Sequence, residues 1–168
     1  KANNNTSAST NSNGNNLTEN TEGGSKMLVA YFSLAGEQYG VGVIEEGNTS
    51  IIAHMIAEQT GADLFEIKAV SPYPTSHSEL LDVSRKEMSD KARPEIADTV
   101  DNMDDYDTVF IGYPNWWGDM PMIVYNFLES YDFSGKTVVS FSSHGGTMYG
   151  DSVSDLSKHL PKSYVGLP

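Results

Sequence analysis

The sequence predicts a three-layer α/β/α sandwich built on one parallel sheet of strand order 2-1-3-4-(5). Two observations lead there. From Lys26 onward, short apolar runs alternate with segments of helical periodicity, and strands that alternate with helices imply a parallel sheet with both faces covered. Right-handed crossovers then leave few topologies. In the order 2-1-3-4 the switch point lies between the first and third strands.

The elements follow in order. Met27-Leu28-Val29-Ala30-Tyr31-Phe32 reads as a first buried strand. Ile51, Ile52, Met55 and Ile56 recur at helical spacing, with Asn48, Thr49 or Ser50 available as the cap. Asp63-Leu64-Phe65-Glu66-Ile67 alternates as a shorter strand nearer an edge. After the Pro72-Tyr73-Pro74 turn, residues 77–92 form a mostly polar helix. A strand over 107–112 follows, then a helix opened by Pro121 and packed through Ile123, Val124, Phe127 and Leu128. Lys136 to Phe141 is a fourth strand, and residues 152–160 form a helix with Val153, Leu156 and Leu160 inward.

At 168 residues the chain is long enough to bury a single core without staples. It has no cysteine, which excludes disulfides, iron–sulfur ligation and thiol catalysis. The four histidines, His54, His77, His144 and His159, have no metal-ligand spacing, so no metal is expected. No apolar run approaches the roughly 20 residues of a membrane span. The formal net charge is −13, almost all of it from residue 26 onward. That field disfavours nucleic acid and anionic membranes and favours a partner protein with a basic surface, although acidic surfaces also serve plain solubility. Residues 1–25 are Asn, Ser, Thr and Gly with Leu17 as the one sizeable apolar group, and are expected to form a disordered tether. The chain opens at Lys1 without methionine, which suggests upstream processing. Such a tether fits an exported or lipid-anchored bacterial protein; the alternative is a natural tail or an appended segment on a cytoplasmic one.

Three loops share one rim if the strand order holds. The first ends in Gly47-Asn48-Thr49-Ser50 at a helix N-terminus, where free amides and hydroxyls suit a phosphate, though the same letters cap any helix. The second, Tyr113-Pro114-Asn115-Trp116-Trp117-Gly118-Asp119, carries both tryptophans of the chain. Large flat surfaces at strand ends suit a planar ligand, unless one indole merely covers a neighbouring helix. The third, Ser142 to Gly150, offers Gly145-Gly146 for close backbone approach and Tyr149 as a further aromatic. Together they fit a planar heterocycle with a terminal phosphate, with FMN the obvious candidate. A dinucleotide fits less well, since no Gly-x-Gly-x-x-Gly follows a strand. No Gly-x-Ser-x-Gly elbow supports a serine hydrolase.

The ordered set Val29-Ala30-Tyr31-Phe32-Ser33, Gly47-Asn48-Thr49, Gly61 to Ile67, Gly112 to Trp117, Phe127 to Thr137 and His144-Gly145-Gly146 resembles the bacterial flavodoxin family, in its branch with a paired-Trp loop. The resemblance implies a flavodoxin-like fold, non-covalent FMN and redox function. It assigns Ser33, Gly47, Asn48 and Thr49 to the phosphate. Around the isoalloxazine it places Pro114, Asn115, Trp116, Trp117 and Gly118, then Ser143, His144, Gly145 and Gly146, with Tyr149 nearby. It also implies that a peptide near Gly118 reorients toward N5 of reduced flavin. Two departures stand out. Residues 34–46 are inserted into a loop that is normally tight, as a lid, a docking loop or a neutral excursion, and bring Glu37, Glu45 and Glu46 near the phosphate site. The end of the chain leaves room for at most a stub of fifth strand and no final helix, so the fourth strand is expected to be an exposed edge.

The leading expectation is an electron carrier, its flavin potential lowered by the surrounding negative charge. The alternatives are an FMN-dependent NAD(P)H:quinone-type oxidoreductase and a flavin-free interaction module.

Overall fold

A computed structural model describes residues 25–166; the expected tether lies outside them except for Ser25. The chain runs β1 (Met27–Tyr31), β2 (Gly36–Gln38), β3 (Gly42–Ile44), α1 (Asn48–Thr60), β4 (Asp63–Glu66), α2 (His77–Asp90), a single 3-10 turn (Met103–Asp105), β5 (Thr108–Pro114), α3 (Met122–Glu129), β6 (Thr137–Ser143), α4 (Ser152–His159) and β7 (Tyr164–Gly166). The main sheet is parallel throughout, in the order β4-β1-β5-β6-β7. Counting only its own strands, that is 2-1-3-4-5, as the sequence predicts.

Alternate residues of the central strands feed two cores, as a pleated backbone requires. Leu28, Ala30, Val109, Ile111, Tyr113 and Val138 pack with Ile123, Val124 and Phe127 of α3 and Leu156 of α4. Val29, Tyr31 and Phe141 form the other core with Ala53 of α1, and half-buried Ile52 and Ile56 lie against it. Of the helical repeat in α1, Ile51 and Met55 stay exposed. Helix α2 is peripheral: it meets α3 on one side and the β2–β3 hairpin on the other.

Three differences from the sequence reading have clear causes. First, β7 is present as the fifth strand. Val165 pairs with Val138 and packs on the core, so the lower half of β6 is covered and only its upper half remains an open edge. Second, β5 and β6 run longer than expected, to Pro114 and Ser143, because their register continues through Pro114↔Ser143. Proline is tolerated at such a strand end, where no ladder donor is needed. Third, the 34–46 insert folds into an antiparallel hairpin, Gly36–Gln38 against Gly42–Ile44.

Two polar ties hold the periphery. Lys136, 8% exposed, donates from Nζ to Met103 O at 2.9 Å and Tyr106 O at 2.6 Å, which fastens the 3-10 turn to β6. Arg93 grips Glu129 with two hydrogen bonds of 2.7 Å and so joins the segment after α2 to the end of α3.

Lys136→Met keeps the volume and strips a donor from both carbonyls; it is expected to lower unfolding free energy by about 1–3 kcal/mol in urea titration. The Arg93 guanidinium holds the Glu129 carboxyl below its ordinary range. The unfolded chain lacks that shift, so the pair stabilises the fold at neutral pH and loses its effect as acid protonates Glu129. A lower Tm for Glu129→Gln at neutral pH, converging on wild type in acid, is the expected result of a thermal melt series.

Candidate functional site

The three central strands end at one level. Phe32 N donates to Gly112 O at 2.9 Å, and Asn115 N donates to Ser143 O at 2.8 Å. Gly112 is packed too tightly for a side chain: a Cβ there would come within 2.2 Å of the Phe141 ring. The segments after β1, β5 and β6 therefore rise side by side, where ligands settle in open α/β sheets.

At one end of the rim stands the first turn of α1. The helix starts at Asn48, with Gly47 rather than Asn48, Thr49 or Ser50 at the N-cap position, and Gly47 offers no capping side chain. Ser33 Oγ supplies the cap from the end of β1 instead, accepting from Ser50 N at 3.0 Å. A Cβ on Gly47 would overlap Ser33 Oγ and come within 2.6 Å of Leu34 O, so only glycine fits. Thr49 is buried, and its Oγ1 bonds Ser143 Oγ at 2.8 Å, tying this turn to β6. The amides of Asn48 and Thr49 lie in the first turn, where no intrahelical acceptor exists, and point the positive end of the helix dipole at the rim. Of the nearby acids, Glu46 is engaged by Ser50 Oγ at 2.8 Å and Glu37 by the amide of His77 at 2.9 Å.

The tryptophan segment is a tight turn. Trp116 N donates to Asp119 O at 2.9 Å and Asp119 N to Trp116 O at 3.1 Å. Trp117 has φ 59° and Gly118 φ 87°, positive at both central positions as in a type I′ turn. Trp116 packs edge-on to Phe32 and Tyr73, at centroid distances of 5.4 and 5.6 Å. Burial, then the Glu87 carboxylate, pushes the Tyr73 hydroxyl far up, so it stays protonated and donates to Glu87 at 3.0 Å. Trp117 is 44% exposed, yet fixed: Nε1 donates to Ser84 Oγ at 3.0 Å, and the Arg85 guanidinium lies 4.4 Å from its ring centroid. One indole thus covers a neighbouring helix, and both still border the rim. The peptides flanking Gly118 are already bonded, its N–H to Asn115 Oδ1 and its C=O from Asp151 N, at 2.9 and 2.8 Å.

The third loop is exposed from His144 to Met148. Gly145 has nothing within 4 Å of a would-be Cβ, so its backbone is open to a ligand. His144 Nδ1 accepts from Gly146 N at 3.0 Å.

These parts enclose a cavity of about 580 Å³. Its first wall carries Asn48, Pro114, Asn115, Trp116, Trp117, Ser143, His144 and Gly145 from the sequence-predicted set. Ser33, Gly47 and Thr49 stand behind that wall as its supports. Gly118, Gly146 and Tyr149 do not line it; the Tyr149 carbonyl instead accepts from Ser152 at the start of α4. The second wall went unread in the sequence: Glu37, Gln38, Tyr39 and Val41 of the hairpin, with His77, Leu80, Leu81 and Ser84 of α2. Its only local signal is the apolar series Tyr39, Val41, Val43 inside a polar, glycine-rich insert. With unshared amides at one end, planar indoles at the other and an open glycine backbone between, the first wall fits a flat heterocycle bearing a phosphate.

Comparison with curated proteins gives no match. Among solved structures, the chain is similar to a protein of Bacteroides eggerthii DSM 20697 provisionally termed a flavoprotein, with 35% identity over 85% of this chain and 86% of that one, and a TM-score of 0.72. A second, also provisionally termed a flavoprotein, from Bacteroides uniformis ATCC 8492, is 32% identical over 86% and 88%, with a TM-score of 0.73. A flavoprotein of Lactobacillus acidophilus NCFM, solved in complex with FMN, is 22% identical over 85% and 91%, with a TM-score of 0.68 and so alike in fold. The flavodoxin family model matches residues 26–166. The chain belongs to the flavodoxin family.

Proposed function

We propose that this protein binds FMN non-covalently and serves as a flavodoxin-type electron carrier. The observation that supports it best is that one cavity joins the first turn of α1, with its unshared Asn48 and Thr49 amides, to a pair of indoles. Bound FMN would supply reversible electron uptake and release, the chemistry the chain itself lacks. The residues have the other tasks. The Asn48 and Thr49 amides would hold the phosphate, Ser33 and Gly47 keep that turn in place, and Trp116 and Trp117 would border the ring. The Gly145 backbone, with open space on its Cβ side, would be free to approach the ring. Surrounding negative charge disfavours added electrons and lowers the potential.

The acidic chain supports a redox partner with a basic surface. The Asn/Ser/Thr-rich residues 1–25 support an extracytoplasmic site of action in a bacterium. A second reading, an FMN-dependent reductase of small molecules, draws on one observation: the cavity has a second wall beyond the loops that would hold the flavin.

Adding FMN to flavin-free protein is expected to quench tryptophan fluorescence and shift the visible flavin bands. Trp117→Ala should weaken FMN binding by about 2- to 13-fold, the equivalent of roughly 0.5–1.5 kcal/mol for a stacked aromatic pair. A protein that takes up no flavin at all would sink the proposal. Electron transfer to a basic acceptor protein should slow steeply as salt rises; a rate indifferent to ionic strength would remove the steering role of the acidic surface.

A further inference from the structure

We infer that the wall formed by the β2–β3 hairpin and the first two turns of α2 is a binding subsite for an uncharged, planar aromatic dione, a quinone in chemical class. The inference builds on the flavin reading only for what lies across the cavity.

The hairpin is anchored. Glu37 N donates to Thr75 O at 2.9 Å, and Glu37 Oε2 accepts from His77 N at 2.9 Å. Gly36, at φ 108°, lets the strand approach so closely that a Cβ would sit 2.8 Å from Thr75 O. A hairpin held against α2 at both backbone and side chain presents a defined surface.

That surface brings apolar side chains to the cavity beside its polar Glu37, Gln38, His77 and Ser84. Tyr39 is 82% exposed and Val41 70%, although both line a concavity, and Leu80 and Leu81 continue the lining on α2. The Tyr39 ring lies 5.9 Å from that of His77 with 38° between planes, so the two rings make one broad patch. Aromatic and branched aliphatic groups left in water at a cavity mouth suit a planar apolar occupant.

The polar groups choose among planar ligands. His144 Nδ1 is an acceptor toward Gly146 N, so the neutral ring carries its proton on Nε2 and remains a donor. His77 stands on the opposite wall. Two imidazoles across a cavity suit carbonyl oxygens at the two ends of a dione. Among the described residues no lysine or arginine lines the cavity, Glu37 borders it, and the chain carries −13. A pyridine dinucleotide, with two or more phosphates, would meet repulsion there.

The test titrates menadione into the full-length, FMN-loaded protein, with tryptophan fluorescence as the binding readout and a separate FMN titration for each variant. Saturable binding without release of FMN is expected. Tyr39→Ala and Val41→Ser should each raise the menadione Kd about fivefold or more while leaving FMN affinity unchanged, because neither side chain supports the first wall. Absence of saturable binding, displacement of FMN by menadione, variants that bind menadione like wild type, or tighter binding of NADH than of menadione would each overturn the inference. If FMN itself fails to bind, the cofactor reading falls separately. Menadione titration of the flavin-free protein then decides the wall: dependence on Tyr39 and Val41 supports it, independence overturns it.

Discussion

The Phe32 N to Gly112 O and Asn115 N to Ser143 O bonds lie beyond the regular ladder and extend the register of three parallel strands into their loops. Everything that faces a ligand depends on that extension. A parallel pair has no hairpin to set its alignment, so alignment comes from side chains that interlock across the sheet. Gly112 against the Phe141 ring is such a lock, because any slip by one residue would place a side chain where the ring sits. With the strands level, three sequence-distant segments become neighbours, and bonds between Thr49 Oγ1 and Ser143 Oγ and from Asn115 Nδ2 to Met148 O hold them together.

The same economy appears in the capping of α1. In most helices the cap is local, from the residue just before the first turn. Here the acceptor comes from Ser33, just after β1, across a loop long enough to hold a hairpin. The insert can therefore vary without disturbing the helix start. Thr49 and Ser143 close the arrangement by linking that turn to β6.

The central architecture was legible in the sequence because strands buried on both faces leave apolar runs, clear in β1 and β5 and still readable in β6 around its buried Ser140. The fifth strand was harder to read: only Val165 of Tyr164-Val165-Gly166 packs on the core. The first cavity wall was legible since its loops follow readable strands. The second wall was not. Two glycines, Gly40 and Gly42, separate Tyr39, Val41 and Val43 and weaken the strand signal, and the hairpin's partner at Thr75 lies on a different part of the chain. Ser84, mid-helix and polar, gave no sign that its hydroxyl receives the Trp117 indole. Local pattern finds the elements; which helix faces a loop across the rim is decided by tertiary geometry.

Trp117 sits at φ 59°, in the left-handed region that a side chain of its size rarely occupies. Strain of this kind is of order 1–3 kcal/mol and persists only where surroundings hold it, here the Ser84 hydrogen bond and the Arg85 guanidinium. Glycine or asparagine would relieve it. Selection for stability alone would therefore drive this position away from tryptophan, and drift in a lineage that no longer used the cavity should erase the indole early. A tryptophan at a strained position is thus the residue most readily lost once the site stops mattering.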